Sequence, residues 1–311
     1  MKIVFFGTPD YTLPILTLIH KEFVTGPGNS PIVSVVTQAP KPTGRKKILT
    51  YSPADKWAHE RRIPIFHSPQ EYLKSGPRAD LGILAAYGAL IPKEVIKAFP
   101  QGILNVHPSL LPKYRGASPV QATILTEEVA GVTIIKIDEH LDHGPIVSQF
   151  EEELGPSDTL GALRSRLFER AAEVLVALIE PYSKGKIKAR EQNHEEATFT
   201  TLVKKEHGFI PPKYLKNALE GKSLKEDWEI GFIKDFSLAP SPSSLEKFIR
   251  ALEPWPLAWT FVKTEDSPKR LKILKGHLEE GKLILDEVQL EGKNPVSWQE
   301  FLEGYPTAAF E

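Results

Sequence analysis

The sequence predicts an α/β protein: a mostly parallel, doubly wound N-terminal domain followed by a small C-terminal β-barrel of OB-like type. Three observations predict it. Short apolar runs alternate with helix-spaced stretches over the first hundred residues, the texture turns polar and irregular after Gly185, and short β-prone runs return from Leu257 onward. Strands alternating with helices give parallel sheets, whereas clustered short strands give barrels or sandwiches.

Each element follows from local pattern. Ile3 to Phe6 is a continuous apolar run ending at Gly7, and Leu13, Leu16 and Ile19 then recur at helical spacing, which opens an α/β unit. Pro31–Thr37 is a second β-branched run, 52–62 a helix, and Pro64–His67 a short strand. Asp80–Ala85 is a strand, Pro92–Ala98 a helix and Gly102–Val106 a strand. Gly131–Asp138 and Ile146–Glu151 form a hairpin around the loop 139–145. A long amphipathic helix spans 159–182, capped by Ser157 or Asp158, with Leu160, Leu163, Leu167, Ala171, Val174 and Leu178 as its buried stripe. A linker at 189–208 separates domain 1–188 from domain 209–311, where a helix over 244–251 precedes strands at 257–262, 270–274 and 282–289.

Composition removes several function classes. The 311 residues include 39 basic and 40 acidic side chains and no cysteine, which excludes disulfides, thiolate nucleophiles, iron–sulfur clusters and cysteine zinc sites. A charge balance this even argues against a polyanion-coating protein. No secretory signal pattern is present, and the longest later apolar stretch, Leu81–Ile91, is about half a membrane span, so a cytoplasmic protein is expected. Neither GxGxxG nor GxxxxGK[ST] occurs, which sets aside dinucleotide redox chemistry and P-loop hydrolysis.

Open α/β sheets place their sites at the carboxyl ends of strands. There the chain reads Asn105-Val106-His107-Pro108. Asn105 and His107 lie two apart on a strand and share a face, and the proline ends the strand. An amide can stabilise a developing oxyanion and an imidazole can donate to it or shuttle a proton. Alone, this spacing leaves a structural hydrogen-bonding role equally open. Asp142 stands on the loop Leu141-Asp142-His143-Gly144-Pro145, from which it can approach the first pair or simply cap its own turn. His140 and His143 are read as loop residues, since no partners stand at helical metal spacing, and no metal is expected.

NVHPSLLPKYRGASPVQ (105–121) followed by GVTIIKIDEHLDHGPIV (131–147) closely resembles the folate-dependent formyltransferase family. The resemblance extends through MKIVFFGTPDYTLPIL, KPTGRKKILTYSPADKWAHERRIPIF, AAYGALIPKEVI, ATFTTLVKKEHGFI and IRALEPWPLAWTFV, in the order of the branch that formylates initiator methionyl-tRNA. It implies a catalytic trio of Asn105, His107 and Asp142. The same likeness implies a folate-contacting loop at Ser109, Leu110, Leu111 and Pro112, with Tyr87 and Gly88 on the pterin side. The donor is then 10-formyltetrahydrofolate, the acceptor the free α-amine of methionine on initiator tRNA, and the protein a monomer that needs no metal and no membrane.

Lys41, Arg45, Lys46 and Lys47 crowd one loop. A solvated loop explains them cheaply, but the matching loop of the family reaches the tRNA acceptor stem, and four cations suit phosphate contact. Residues 205–311 carry 15 basic against 18 acidic side chains, so the expected tRNA-binding C-terminal domain is not globally basic. Trp255, Trp259 and Phe261 are expected in the barrel core. Pro211-Pro212 departs from the family pattern, where an acidic and an aromatic residue are expected. The same chemistry on an amino-sugar nucleotide is the alternative function.

Overall fold

The computed structural model describes residues 1–26, 29–43, 47–264 and 267–310. The chain folds as two compact units. The first is built from Met1–Arg115, Gly131–Glu152 and Arg164–Ala197, the second from Gly116–Ala130, Glu153–Leu163 and Thr198–Glu311.

The first unit holds a seven-stranded sheet of β1 (Ile3–Gly7), β2 (Ile32–Val36), β3 (Ile65–Phe66), β4 (Leu81–Ala85), β5 (Ile103–His107), β6 (Val129–Lys136) and β7 (Ile146–Glu153). Their spatial order is β7-β6-β5-β4-β1-β2-β3. From β3 to β5 every pairing is parallel, and β6 runs antiparallel to β5. Every residue of β1 and β5 is buried; β1 accordingly reads as an unbroken apolar run, whereas β5 carries Asn105 and His107 between and after the apolar Ile103, Leu104 and Val106.

Phe6 anchors the core of this unit. Its ring meets Tyr72 and Tyr87 edge-on at 6.1 Å and Phe99 at 5.9 Å, within a cluster that includes Val4, Val36, Val95 and Ile103. Such aromatic pairs add to the area-based burial term. Among the helices, α1 (Leu13–Phe23), α2 (Pro53–Glu60) and α4 (Lys93–Lys97) fall where the pattern put them. The sequence reading passed over α3 (Pro69–Ser75) although its signature was present. Ser68 accepts from the Glu71 N–H at 3.1 Å, the Glu71 carboxylate returns to the His67 N–H at 2.8 Å, and Pro69 occupies the first helical position.

Two further helices are α5 (Pro119–Thr126) and α6 (Leu160–Ser183). The cap of α6 is corrected by one residue: Thr159 precedes the helix and its hydroxyl accepts from the Ala162 N–H at 3.3 Å. The Asp158 carboxylate turns back instead to the Gly155 N–H at 2.7 Å. The expected linker is also different in kind at its start. Arg190 exchanges both backbone hydrogen bonds with Ile146, at 2.7 and 2.8 Å, so 189–197 stays with the first unit, bridged at Arg190 and ending in a 3-10 turn at His194–Glu196.

In the second unit, α7 (Pro212–Leu219), α8 (Pro242–Ala251) and α9 (Trp298–Gly304) accompany a four-stranded antiparallel sheet ordered β8 (Ala258–Lys263), β9 (Pro268–Glu279), β10 (Lys282–Leu290), β11 (Val296–Ser297). Helix α8 starts at a reciprocal Ser241/Ser244 cap and packs on β9 and β10. The outer edge of β8 is covered by backbone bridges to Phe209 and Ala309, giving the small barrel-like domain expected from sequence.

The aromatic cluster does not fill that barrel. Ala258, Thr260 and Val262 take the inward positions of β8, so Trp259 and Phe261 point to the other face, and Trp255 is 51% exposed. Trp259 packs against Phe209 at 4.8 Å, and the Arg270 guanidinium lies 4.2 Å over its indole.

Phe6→Ala should destabilise the first unit by about 3–5 kcal/mol, because the rings around it cannot close the void. Chemical denaturation of both proteins measures this, and Phe6→Leu should lose clearly less.

Candidate active site

Strand β5 delivers the first two groups. Its inner residues are buried on both faces, yet Asn105 and His107 sit on that strand at 8% and 3% exposure, with hydrogen-bond partners that repay their burial. The Asn105 side-chain N–H donates to Asp142 Oδ1 at 3.2 Å. Asp142 Oδ2 lies 3.5 Å from His107 Nδ1. One carboxylate therefore spans both side chains, and the three residues named from sequence converge at the carboxyl end of a central strand.

His107 is held from its other side as well. Nε2 stands 3.0 Å from the Tyr114 carbonyl oxygen. A carbonyl only accepts, so this contact puts a proton on Nε2 and leaves Nδ1 as the nitrogen that faces Asp142. Asn105 has two amide N–H groups and Asp142 engages one, which gives the site a second N–H to aim at a reacting oxygen.

The loop carrying Asp142 is fixed by residues the sequence did not offer. Asp142 itself has φ 47°, a left-handed conformation costly for a residue with a Cβ. Gln192, 5% exposed, donates from Nε2 to the carbonyls of Asp142 at 2.9 Å and Gly144 at 2.8 Å. Gln192 is in turn held by Arg115, whose guanidinium donates to its Oε1 at 2.7 Å and to His194 Nδ1 at 2.8 Å. Burial lowers the basicity of the Arg115 guanidinium, a loss the carboxylates of Asp142 and Asp138 partly restore. A Cβ on Gly144 would fall on the Lys136 carbonyl oxygen, so only glycine lets the loop close there.

Gln192 and Arg115 were missed because no local pattern marks them. Gln192 lies in a polar stretch with the texture of a linker, and its partner is 77 residues earlier in the chain. The His-Glu-Glu turn after Asn193 gives no better clue. Burial makes the His194 imidazole harder to protonate, as do the neighbouring His143 and Arg115 charges.

The expected folate-contacting residues occupy the loops after β4 and β5. Ser109 is buried and donates to the Lys113 carbonyl at 2.7 Å. Thr133 ties this loop down by donating to the Ser109 carbonyl and accepting from the Leu111 N–H. Gln149 donates to the Leu111 carbonyl at 2.9 Å. The Leu111 side chain packs into a core cluster with Ile135 and Ile146, Leu110 lies over Gly131, and the Leu111–Pro112 peptide is cis. Tyr87 likewise sends its ring into the core against Phe6, and its carbonyl accepts from the Thr8 hydroxyl and the Gln38 amide, each at 3.2 Å. Gly88 is exposed, at φ +84°, with open space where a Cβ would stand.

The basic loop is a hairpin. Lys41–Thr43 pairs antiparallel with Ile48–Thr50, Lys41 is exposed, and Lys47 turns the chain at φ 48°. Arg45 and Lys46 lie outside the described residues. Ile48 and Leu49 are 63% and 54% exposed, so the hairpin presents apolar as well as cationic groups.

The formyl transferase family matches residues 1–179. A methionyl-tRNA formyltransferase of Chloroflexus aggregans is 36% identical over 269 residues, covering 84% of this chain and 76% of the relative. One of Agathobacter rectalis is 31% identical over 332 residues, covering 98% and 96%. Among solved structures, an N-formyltransferase of Helicobacter canadensis, in complex with folinic acid and dTDP-3-aminofucose, shares the fold at TM-score 0.60 and 15% identity over 96% of this chain and 98% of that one. By the family match over more than half of its length and by its identity to these relatives, the chain belongs to the formyl transferase family and groups with its methionyl-tRNA formyltransferases.

Proposed function

We propose that this chain transfers the formyl group of 10-formyltetrahydrofolate to the free α-amine of methionine on initiator tRNA. The observation that carries the reading is the Asp142 carboxylate set between the Asn105 amide and the His107 imidazole. Kinship over nearly the full length with methionyl-tRNA formyltransferases supplies the acceptor.

The folate supplies a formyl carbon that is already electrophilic, so the reaction calls on no metal and no covalent enzyme intermediate. Attack by a neutral amine puts negative charge on the formyl oxygen and a surplus proton on the nitrogen. Asn105 donates its second N–H to the oxygen, and a well-aimed donor there is worth about 3 kcal/mol. His107, when protonated at Nδ1, donates from that nitrogen. Asp142 holds the imidazole and receives the ammonium proton, directly or through one water. Leu110 and the backbone of 87–88 and 109–112 line the place for the pterin, an apolar wall with a few polar anchors.

For the acceptor, the basic segment with Lys41, Arg45, Lys46 and Lys47 contacts phosphate. In the second unit, Arg270 and Lys272 pair in register with Phe261 and Trp259 on the face turned away from the barrel core, a pattern of cations and rings that suits nucleic acid in spite of the domain's acidic balance. The protein acts as a monomer in the cytoplasm. Among the described residues no helix is long and apolar enough to cross a membrane.

Asn105→Ala should lower kcat about 10²–10³-fold, and His107→Ala and Asp142→Ala should lower it by at least as much, with KM for the folate little changed. Steady-state kinetics on methionyl initiator tRNA decide this, and near-normal turnover in all three would refute the assignment. Gln192→Ala should reduce kcat about tenfold by removing two buried hydrogen bonds to the Asp142 loop. Gln192→Glu keeps the shape but cannot donate to those carbonyls, so an equal loss identifies donation as the cause. Arg45→Ala should raise KM for the tRNA while leaving folate affinity unchanged; a parallel loss of both contradicts the phosphate role. Product formed on amino-sugar nucleotides and not on methionyl-tRNA would favour the sugar alternative.

A further inference from the structure

The loop that ends at Asp142 brings together a second set of groups that the formyl-transfer chemistry does not use. Asp138, His140 and His143 each offer one ligand atom, and these atoms all lie within 4.8 Å of one another. His143 Nδ1 is 2.7 Å from Asp138 Oδ2, and His140 Nδ1 is 3.9 Å from Asp138 Oδ1. Two imidazoles thus converge on the two oxygens of one carboxylate. The His140 N–H donates to Asp138 Oδ1 at 2.8 Å, which orients the carboxylate, and the His143 ring is backed by the stacked ring of His194 at 3.9 Å and 5°.

The sequence pattern is Asp-x-His-x-x-His within one tight loop, not the helical spacing by which metal sites are usually read. Exposed Asp–His pairs contribute little to stability, so folding alone gives no strong reason for both imidazoles to meet here.

We propose that Asp138, His140 and His143 form an inhibitory binding site for a divalent cation of the zinc class. Two nitrogens and one oxygen, with a water in the fourth position, are a zinc-type donor set, whereas calcium and magnesium ask for six or more oxygens. Tetrahedral ligands at ~2.0–2.1 Å stand ~3.3 Å apart, so the donors must close by about 1.5 Å at most. His140, whose side chain is 75% exposed, is able to swing inward. His143 follows Asp142 directly, so drawing the loop onto a cation pulls the Asp142 carboxylate from its seat between Asn105 and His107. This inhibitory half rests on the proposed role of Asp142; the binding half does not.

The test separates the two. After dialysis against chelator, the full chain is titrated with Zn²⁺ by calorimetry and with Co²⁺ by visible absorption. One ion per chain and the absorption of tetrahedral Co²⁺ are expected, with His140→Ala and His143→Ala each weakening uptake ~10-fold or more. His277→Ala, which removes a histidine paired with Asp286 in the second unit, should leave uptake unchanged. Zn²⁺ should suppress formyl transfer by the wild type and not by His140→Ala. Absence of stoichiometric uptake, or uptake that survives the double variant His140→Ala/His143→Ala, overturns the site. Uptake without any change in formyl transfer by an active wild type overturns the inhibition. Binding is scored without turnover, so failure of the formyl-transfer assignment is seen separately.

Discussion

Asp142 reaches Asn105 and His107 because its backbone is held in a conformation it would not adopt unaided. The left-handed φ at Asp142, the glycine forced at 144 by the Lys136 carbonyl, and the two hydrogen bonds from Gln192 together fix one loop against one strand. The strand end is the rigid partner in this arrangement. β5 lies between β4 and β6 with every residue buried, so Asn105 and His107 are supported by the core itself. What can move is the loop, and most of the polar network of the site, from Arg115 through Gln192, is spent on stopping it.

This division of labour explains what was legible in the sequence. The strands of the first unit were visible as short, predominantly apolar runs, as near-complete burial demands, and β1, β2, β4 and β5 all fall within a residue or two of their expected bounds. Asn105 and His107 were visible because period two on a strand places them on one face. Gln192 and Arg115 were not, since a buried hydrogen bond across 77 residues leaves no periodic trace. Helix α3 was missed although Ser68, Pro69 and Glu71 spelled its start, because seven residues carry too little periodicity to compete with a loop reading.

The second unit shows the opposite error. Trp259 and Phe261 looked like core because large aromatic side chains usually are, yet register decided otherwise. With Ala258, Thr260 and Val262 turned inward, strand β8 buries its smaller residues and turns its aromatic ones outward, and a cation from the neighbouring strand settles on the Trp259 indole. Net charge, averaged over the domain, could not report that arrangement. A count of side chains records composition, whereas recognition depends on which residues share a face.

The contact between His107 Nε2 and the Tyr114 carbonyl has one more consequence. An imidazole with both nitrogens open can take a proton on one side and release it on the other, acting as a conduit between substrate and solvent. Here one end is plugged by an acceptor that never ionises. The ring is a dead end for protons: whatever enters at Nδ1 must leave at Nδ1, on the side of the Asp142 carboxylate, not through the body of the protein.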